Sequence, residues 1–263
     1  MALGVAITAC LVCLITLLIG GAKPGLFSPD DTAKADPNAL SSRLTNTPDY
    51  GQSYINDVIF LGDKTIGGIT KYELLKGGTE TKQVWVDEKG TLTLDFGIAN
   101  TNVIYPEDGT AISIAEAAAR KKPGYIVITV GLENGVAYCS EEKFTEYYGR
   151  LIDTIRDAVP NTKIILQSVF PISNDAEKQL SGITNRKIDA ANGYIERLAE
   201  EKGVRYLHTA EILKNKSGAL DEKYDSGDGI TLNEAGYAAM LGYLRTHGYK
   251  SIAKETDSVE TNE

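Results

Sequence analysis

Short apolar runs of four to eight residues alternate along this chain with longer stretches in which apolar positions return every three or four residues. Strands are expected at 57–62 (DVIFLG), 83–86 (QVWV), 125–131 (YIVITVG), 163–170 (KIILQSVF) and 204–208 (VRYLH). Helices are expected in three longer stretches. SEEKFTEYYGRLIDTIRDAV opens on Ser140, whose hydroxyl can cap the first turn, and two acidic residues follow it. NRKIDAANGYIERLAEEKG closes at Gly203 and NEAGYAAMLGYLRTHG at Gly248, each glycine reading as a helix stop. The central strands are apolar on both faces, so helices should cover both sides of them. Alternating strands and helices predict a three-layer α/β/α domain, with a five-stranded parallel sheet, right-handed crossovers, and ligands at the carboxyl ends of the strands.

The two ends of the chain read differently. Residues 3–21 (LGVAITACLVCLITLLIGG) form an uninterrupted apolar run long enough to cross ~30 Å of hydrocarbon. The run is expected to be one transmembrane anchor within residues 1–22, with the domain outside the cytoplasmic membrane. The competing reading is a signal peptide cleaved near Ala22, which would release a secreted protein. Residues 23–50, rich in Ser, Thr, Asp and Pro, are expected to form a flexible spacer. The domain is then expected at 51–250, with a disordered tail at 251–263. Cys10 and Cys13 lie in the apolar run, so Cys139 has no partner for an intradomain disulfide. The net charge of −9, without a basic stripe, argues against nucleic acid. No cofactor is expected, and the sequence is silent on oligomeric state.

Three chemistry-bearing segments follow strands or precede the last helix: GDKTIGG (62–68), GLENG (131–135) and SGDGITLNEAGY (226–237). The first is not a nucleotide loop. Gly62 and Gly67 have the spacing of a phosphate-binding loop, but Gly68 stands where that loop needs lysine. What remains to be explained is a lysine, Lys64, directly after a strand.

The order of the blocks FLGD, VITVGLENG, ILQSVFPIS and DGITLNEAGYAAMLGYL resembles that of the SGNH hydrolases, or GDSL-type lipases and esterases, in particular their membrane-tethered bacterial members. The resemblance spans roughly residues 54–250 and implies the flavodoxin-like SGNH-hydrolase fold. In that family a serine after Gly-Asp is the nucleophile, a glycine and an asparagine complete the oxyanion hole, and Asp-x-x-His supplies the base. Residue by residue, Asp63 is kept and Lys64 stands in the serine position. Gly90 is the candidate glycine, Glu133 replaces the asparagine, Asp228 is kept, and Thr231 replaces the histidine.

Those replacements bear on the chemistry the resemblance implies. Lysine has no hydroxyl, threonine does not accept a proton at neutral pH, and an ionised glutamate is acceptor-only and repels an oxyanion. Losing a nucleophile or base from a serine hydrolase costs on the order of a million-fold in turnover. Thr65 lies about 100° around the helix from Lys64 and should point away. His208 and His247, at the end of the fifth strand and of the last helix, read as ordinary strand-end and surface residues. A metal site built from Asp63, Glu133 and Asp228 would have to hold its ion around an intruding lysine, so no metal is expected. The leading expectation is therefore a catalytically inactive esterase relative that binds a small carboxylate, acyl or sugar ligand, or a partner, at the cell envelope. Lys64 and Glu133 are expected to form an ion pair, against the alternative that both are independent solvated replacements. Two other readings stay open: an acyl or acetyl esterase acting on envelope esters with an unorthodox nucleophile, and a spacer domain with no small ligand.

Overall fold

The structure, a computed structural model, describes residues 41–249. The expected anchor, most of the expected spacer, and the tail lie outside the described residues. Among the described residues no helix is long and apolar enough to cross a membrane.

Five strands form one parallel sheet: β1 (Val58–Gly62), β2 (Val84–Trp85), β5 (Tyr125–Thr129), β6 (Lys163–Gln167) and β7 (Arg205–Leu207), in the order β2-β1-β5-β6-β7. Between them β3 (Asn102–Tyr105) and β4 (Thr110–Ser113) make a separate antiparallel hairpin. The principal helices are α1 (Gly51–Asn56), α2 (Lys64–Gly67), α3 (Ile114–Lys121), α4 (Asn134–Tyr138), α5 (Glu141–Ala158), α6 (Asn174–Gln179), α7 (Asn185–Lys202), α8 (Ala210–Leu213) and α9 (Glu234–Thr246).

Because successive strand side chains point to opposite faces, each strand feeds two cores. Ile59, Leu61, Ile126, Ile128, Ile164 and Leu166 pack on one face with α3, α5 and α7. Val58, Phe60, Val127, Ile165 and Leu207 pack on the other with α1, α8 and α9. Burying each such side chain contributes about 1.5–3 kcal/mol relative to leaving it exposed. All five expected strands are present, and the α/β fold with its five-stranded parallel sheet is the expected one.

Two of the expected caps are also seen: Ser140 Oγ accepts from the Lys143 amide, and Gly203 ends α7 in the left-handed region. Gly248 is different. Helix α9 stops at Thr246, and Gly248 is not left-handed. A Cβ there would stand 2.2 Å from the Tyr50 ring, so Gly248 is small to admit an aromatic neighbour rather than to end a helix.

The folded unit also starts earlier than the polar composition of 23–50 suggests. Residues 41–50 lie on the domain. Arg43 forms a parallel bridge to Tyr206, with the Leu44 amide donating to the Tyr206 carbonyl (2.8 Å) and the Tyr206 amide to that of Ser42 (3.0 Å). Arg43 donates twice to Glu196 of α7, both bonds at 2.6 Å, and Asp49 pairs with Arg245. Backbone hydrogen bonds to the free edge of β7 do not depend on side-chain polarity, which is why composition misses them. Arg205 donates to the Ser41 carbonyl and lies over the Tyr249 ring, so the two ends of the described chain meet there.

Candidate functional site

The carboxyl end of β1 turns into α2 through Gly62 and Asp63. A Cβ on Gly62 would be 2.3 Å from the Thr129 carbonyl oxygen and 2.5 Å from Ile66, so only glycine fits there. Asp63 is extended and caps α2. Its Oδ1 accepts from the Thr65 amide (3.0 Å) and hydroxyl (2.6 Å), and its Oδ2 accepts from the Leu132 amide (3.3 Å). It is 2% exposed, and burial pushes its carboxyl up to about 6 despite those bonds, with nearby Glu133 adding to the rise. Thr65 is likewise buried, its hydroxyl turned to Asp63 and its carbonyl accepting from the Tyr237 hydroxyl (2.6 Å).

Lys64, the next side chain, reaches outward. Its Nζ is 2.7 Å from Glu133 Oε1, with side chains 38% and 41% exposed. Glu133 stands just before α4 and makes no cap bond to that helix, which leaves its carboxylate for the lysine. Beneath them, a buried polar chain links the ends of β5 and β6 to α8. The Thr129 hydroxyl donates to Gln167 (2.8 Å), and the Gln167 amide donates to the Thr209 hydroxyl (2.7 Å).

A cleft of about 400 Å³ opens beside the pair, with Lys64 and Glu133 on its wall and Leu132, Tyr138, Leu180, Ile183 and Ile230 making it largely apolar. Tyr138 is 75% exposed at its rim.

The backbone donors near Lys64 are occupied. The Lys64 amide donates to Thr91 Oγ1 (3.1 Å), and the Gly90 amide donates to the Asp87 carbonyl (3.0 Å) within a tight turn. Gly90 is left-handed, and its carbonyl comes within 3.0 Å of where a Gly67 side chain would begin. The loop of Gly90 therefore lies against α2, but it is its neighbour Thr91 that touches Lys64. Sequence reasoning missed Thr91. Its signal was weak, a threonine one place after the chosen glycine.

Asp228 and Thr231 are held to each other rather than to Lys64. Asp228 Oδ1 accepts from the Ile230 amide (2.8 Å), the Thr231 amide (2.7 Å) and the Ser226 hydroxyl (3.2 Å), and Oδ2 accepts from the Thr231 hydroxyl (2.8 Å). Partial burial works to raise its carboxyl, but those bonds outweigh it and hold the group below the ordinary range. Ile230, between the two, reaches the cleft.

The histidines lie elsewhere. His208 Nδ1 is 2.8 Å from the Tyr206 hydroxyl, and His247, expected at the surface, is instead buried because its ring stacks on Tyr243. Cys139 is half-buried, and burial raises its thiol. Among the described residues no three His, Cys, Asp or Glu side chains are grouped to hold a metal ion.

Comparison with solved structures finds similar chains. One is a proposed platelet activating factor from Streptococcus pneumonia: 18% identity, TM-score 0.47, covering 72% of this chain and 82% of that one. A GDSL-like lipase from Bacteroides thetaiotaomicron matches at 16% identity and TM-score 0.46, covering 72% and 85%. A proposed acylhydrolase from Bacteroides fragilis matches at 14% identity and TM-score 0.45, covering 72% and 84%. No curated protein sequence matches. The sequence model of the GDSL-like Lipase/Acylhydrolase family, in contrast, matches residues 65–239, and the chain belongs to that family.

Proposed function

We propose that this chain is a membrane-anchored, catalytically inactive member of the GDSL-like family, which uses its cleft to bind a ligand or partner at the cell envelope. The observation that carries the reading is the Lys64–Glu133 pair, 2.7 Å apart at the exit of β1. In the family pattern Lys64 takes the serine's place and Glu133 the oxyanion-binding asparagine's, so the pair puts a cation and an acceptor-only group where acyl transfer needs a hydroxyl and a donor. Two further features favour the reading. The amide of Lys64 itself and that of Gly90, the glycine the family pattern puts in the oxyanion hole, are spent on Thr91 and Asp87. Thr231, in place of the base, gives its own proton to Asp228.

An unorthodox nucleophile is disfavoured. Thr65 is the nearest hydroxyl in sequence, and it is buried and donating to Asp63. A half-exposed ammonium beside apolar walls suits a small carboxylate, or an acyl or sugar ligand carrying one, with the carboxylate competing with Glu133 for Lys64. Residues 3–21 supply the anchor in this reading, with the domain outside the cytoplasmic membrane; cleavage near Ala22 would release it instead.

The test compares the full-length chain with its Lys64→Ser, Glu133→Asn, Thr231→His triple variant on short acyl esters. Turnover in the unmodified chain overturns the reading, whereas turnover only in the triple variant supports a preserved scaffold with an altered site. Thermal shifts with small carboxylates and envelope sugars test binding, because a ligand in large excess over its dissociation constant stabilises the fold measurably. No shift with any of them favours the spacer alternative.

A further inference from the structure

A second cavity, of about 380 Å³, lies at the opposite end of the sheet from the cleft, where Asn56–Ile59 lead into β1. It is lined by four lysines, Lys76, Lys82, Lys121 and Lys122, and by three carboxylates, Asp57, Glu80 and Glu107. Lys121 is taken by Glu107 at 2.6 Å. Lys82 donates to the Pro106 carbonyl, a neutral partner that leaves its charge uncompensated. Three ammonium groups therefore face two carboxylates, a local cationic excess on a chain whose net charge is −9.

A bland account exists for part of this: basic residues close α3 and complement its dipole. It covers Arg120 and Lys121. It does not cover Lys76 and Lys82, which come from the segment before β2, nor the backbone of Lys122. That residue has φ +49 and is the only non-glycine with positive φ among the described residues. It occupies the position after a helix where glycine is usual, and a side chain there is disfavoured. Strain of this kind is retained mostly where the side chain has a use.

We propose that this basal cavity binds a phosphate ester of a polyol, of which glycerol phosphate is the smallest example. Lys76, Lys82 and Lys122 meet the phosphate oxygens as mobile point charges. Asp57 and Glu80, which would only weaken a site for bare phosphate, accept hydrogen bonds from the hydroxyls. The same chemistry is carried by free glycerol phosphate and by a phosphatidylglycerol headgroup. The site is independent of the reading of the cleft.

The experiment is calorimetric titration of the full-length chain, in an uncharged detergent at low salt, with sn-glycerol 3-phosphate, and in parallel with phosphatidylglycerol or phosphatidylcholine doped into the micelles. Saturable binding of glycerol phosphate but not of glycerol is expected, weakened about tenfold or more by Lys122→Gly and by Lys76→Gln. Lys122→Gly should also keep or raise Tm, since glycine removes the left-handed strain, so weakened binding would not mean lost folding. Phosphatidylglycerol, but not phosphatidylcholine, competing with glycerol phosphate identifies the headgroup as the source; no competition identifies the free ester. The proposal is overturned if glycerol phosphate does not bind, if glycerol binds equally well, or if neither lysine variant weakens binding.

Discussion

Asp63 offers the sharpest test of how the site is held, because it is a carboxylate sealed inside the protein with few donors. Burial pushes it from the ordinary 3.8 up to about 6. The unfolded chain therefore gives up this proton near pH 4, while the folded chain keeps it to about pH 6. Between those values the folded state binds more protons, so the contribution of Asp63 to stability is greatest below pH 3.8 and falls as pH rises to 6. A shift of two units corresponds to about 3 kcal/mol.

The perturbation that isolates this is Asp63→Asn. The amide still accepts from Thr65 through Oδ1, but its NH2 group faces the Leu132 amide, which Oδ2 now satisfies. Leaving that donor unpaired costs about 1–3 kcal/mol at every pH. The protonated acid avoids this cost, since it can place its proton toward Thr65 and keep Oδ2 as an acceptor. At pH 4 the Asn variant should thus be less stable by about 1–3 kcal/mol. By pH 7 the wild type also carries the burial of a charge, so the gap should move by about 2–3 kcal/mol in the variant's favour, closing or reversing. Urea unfolding of both chains at pH 4, 5, 6 and 7 reads the difference. Asp49 and Asp228, held below the ordinary range, pull the other way but cancel between the two chains. A gap that stays constant within about 1 kcal/mol across that range would refute the account of Asp63 as a buried, raised acid.

Other expectations are simpler to state. Gly62→Ala should cost about 3 kcal/mol or more, measured as a fall in Tm, because its Cβ meets a backbone oxygen at 2.3 Å; a near-neutral result would mean that β1 and β5 can separate there. In a double-mutant cycle of Lys64→Met and Glu133→Gln, the coupling should stay within about 0.2–1 kcal/mol, since both side chains are well over a third exposed; about 2 kcal/mol would indicate a desolvated pair. Arg245→Gln should speed hydrogen exchange at the Thr47 and Tyr50 amides, which bond the carbonyls of Thr246 and Arg245. In the wild type, Arg245 first and the Gly51 amide second hold Asp49 down to about 2, so this pairing persists above pH 3.8 and is lost only as pH falls through about 2.

The strands were legible because their residues are apolar on both faces, but their ends were overrun for a physical reason. Val130 and Phe170 remain fully buried beyond the last ladder positions, so hydrophobicity continues where strand pairing has stopped. The hairpin of β3 and β4 carried a usable signal, Asp108-Gly109 between two alternating runs, and so did α3, whose Ser113 cap is followed three residues later by Glu116. The docking of residues 41–50 was not legible, because its sheet-edge contacts are between backbone atoms. Of the site, the Lys64–Glu133 contact followed from motif order once the fold was supposed. Thr91 did not, since its position depends on how the 87–91 turn closes.

The site divides into groups that set the backbone and groups that face the cleft. Gly62 admits the close approach of β1 and β5, Asp63 ties α2 to the Leu132 amide, Tyr237 fixes the Thr65 carbonyl from α9, and Asp228 shapes its own loop through two amides. None of these contacts uses the side chain at 64 or 133, and those of Thr231 Oγ1, to Asp228 and Ser226, stay within its own loop. Changing the cleft-facing Lys64 and Glu133, together with the buried Thr231 of the neighbouring loop, should therefore leave the framework in place. Conversely, a chain whose only requirement was to keep this fold would have no need to place opposite charges 2.7 Å apart on the wall of a 400 Å³ cleft. An exposed pair stabilises little, so the proposed cleft ligand, rather than the packing of the domain, is what this pair would serve.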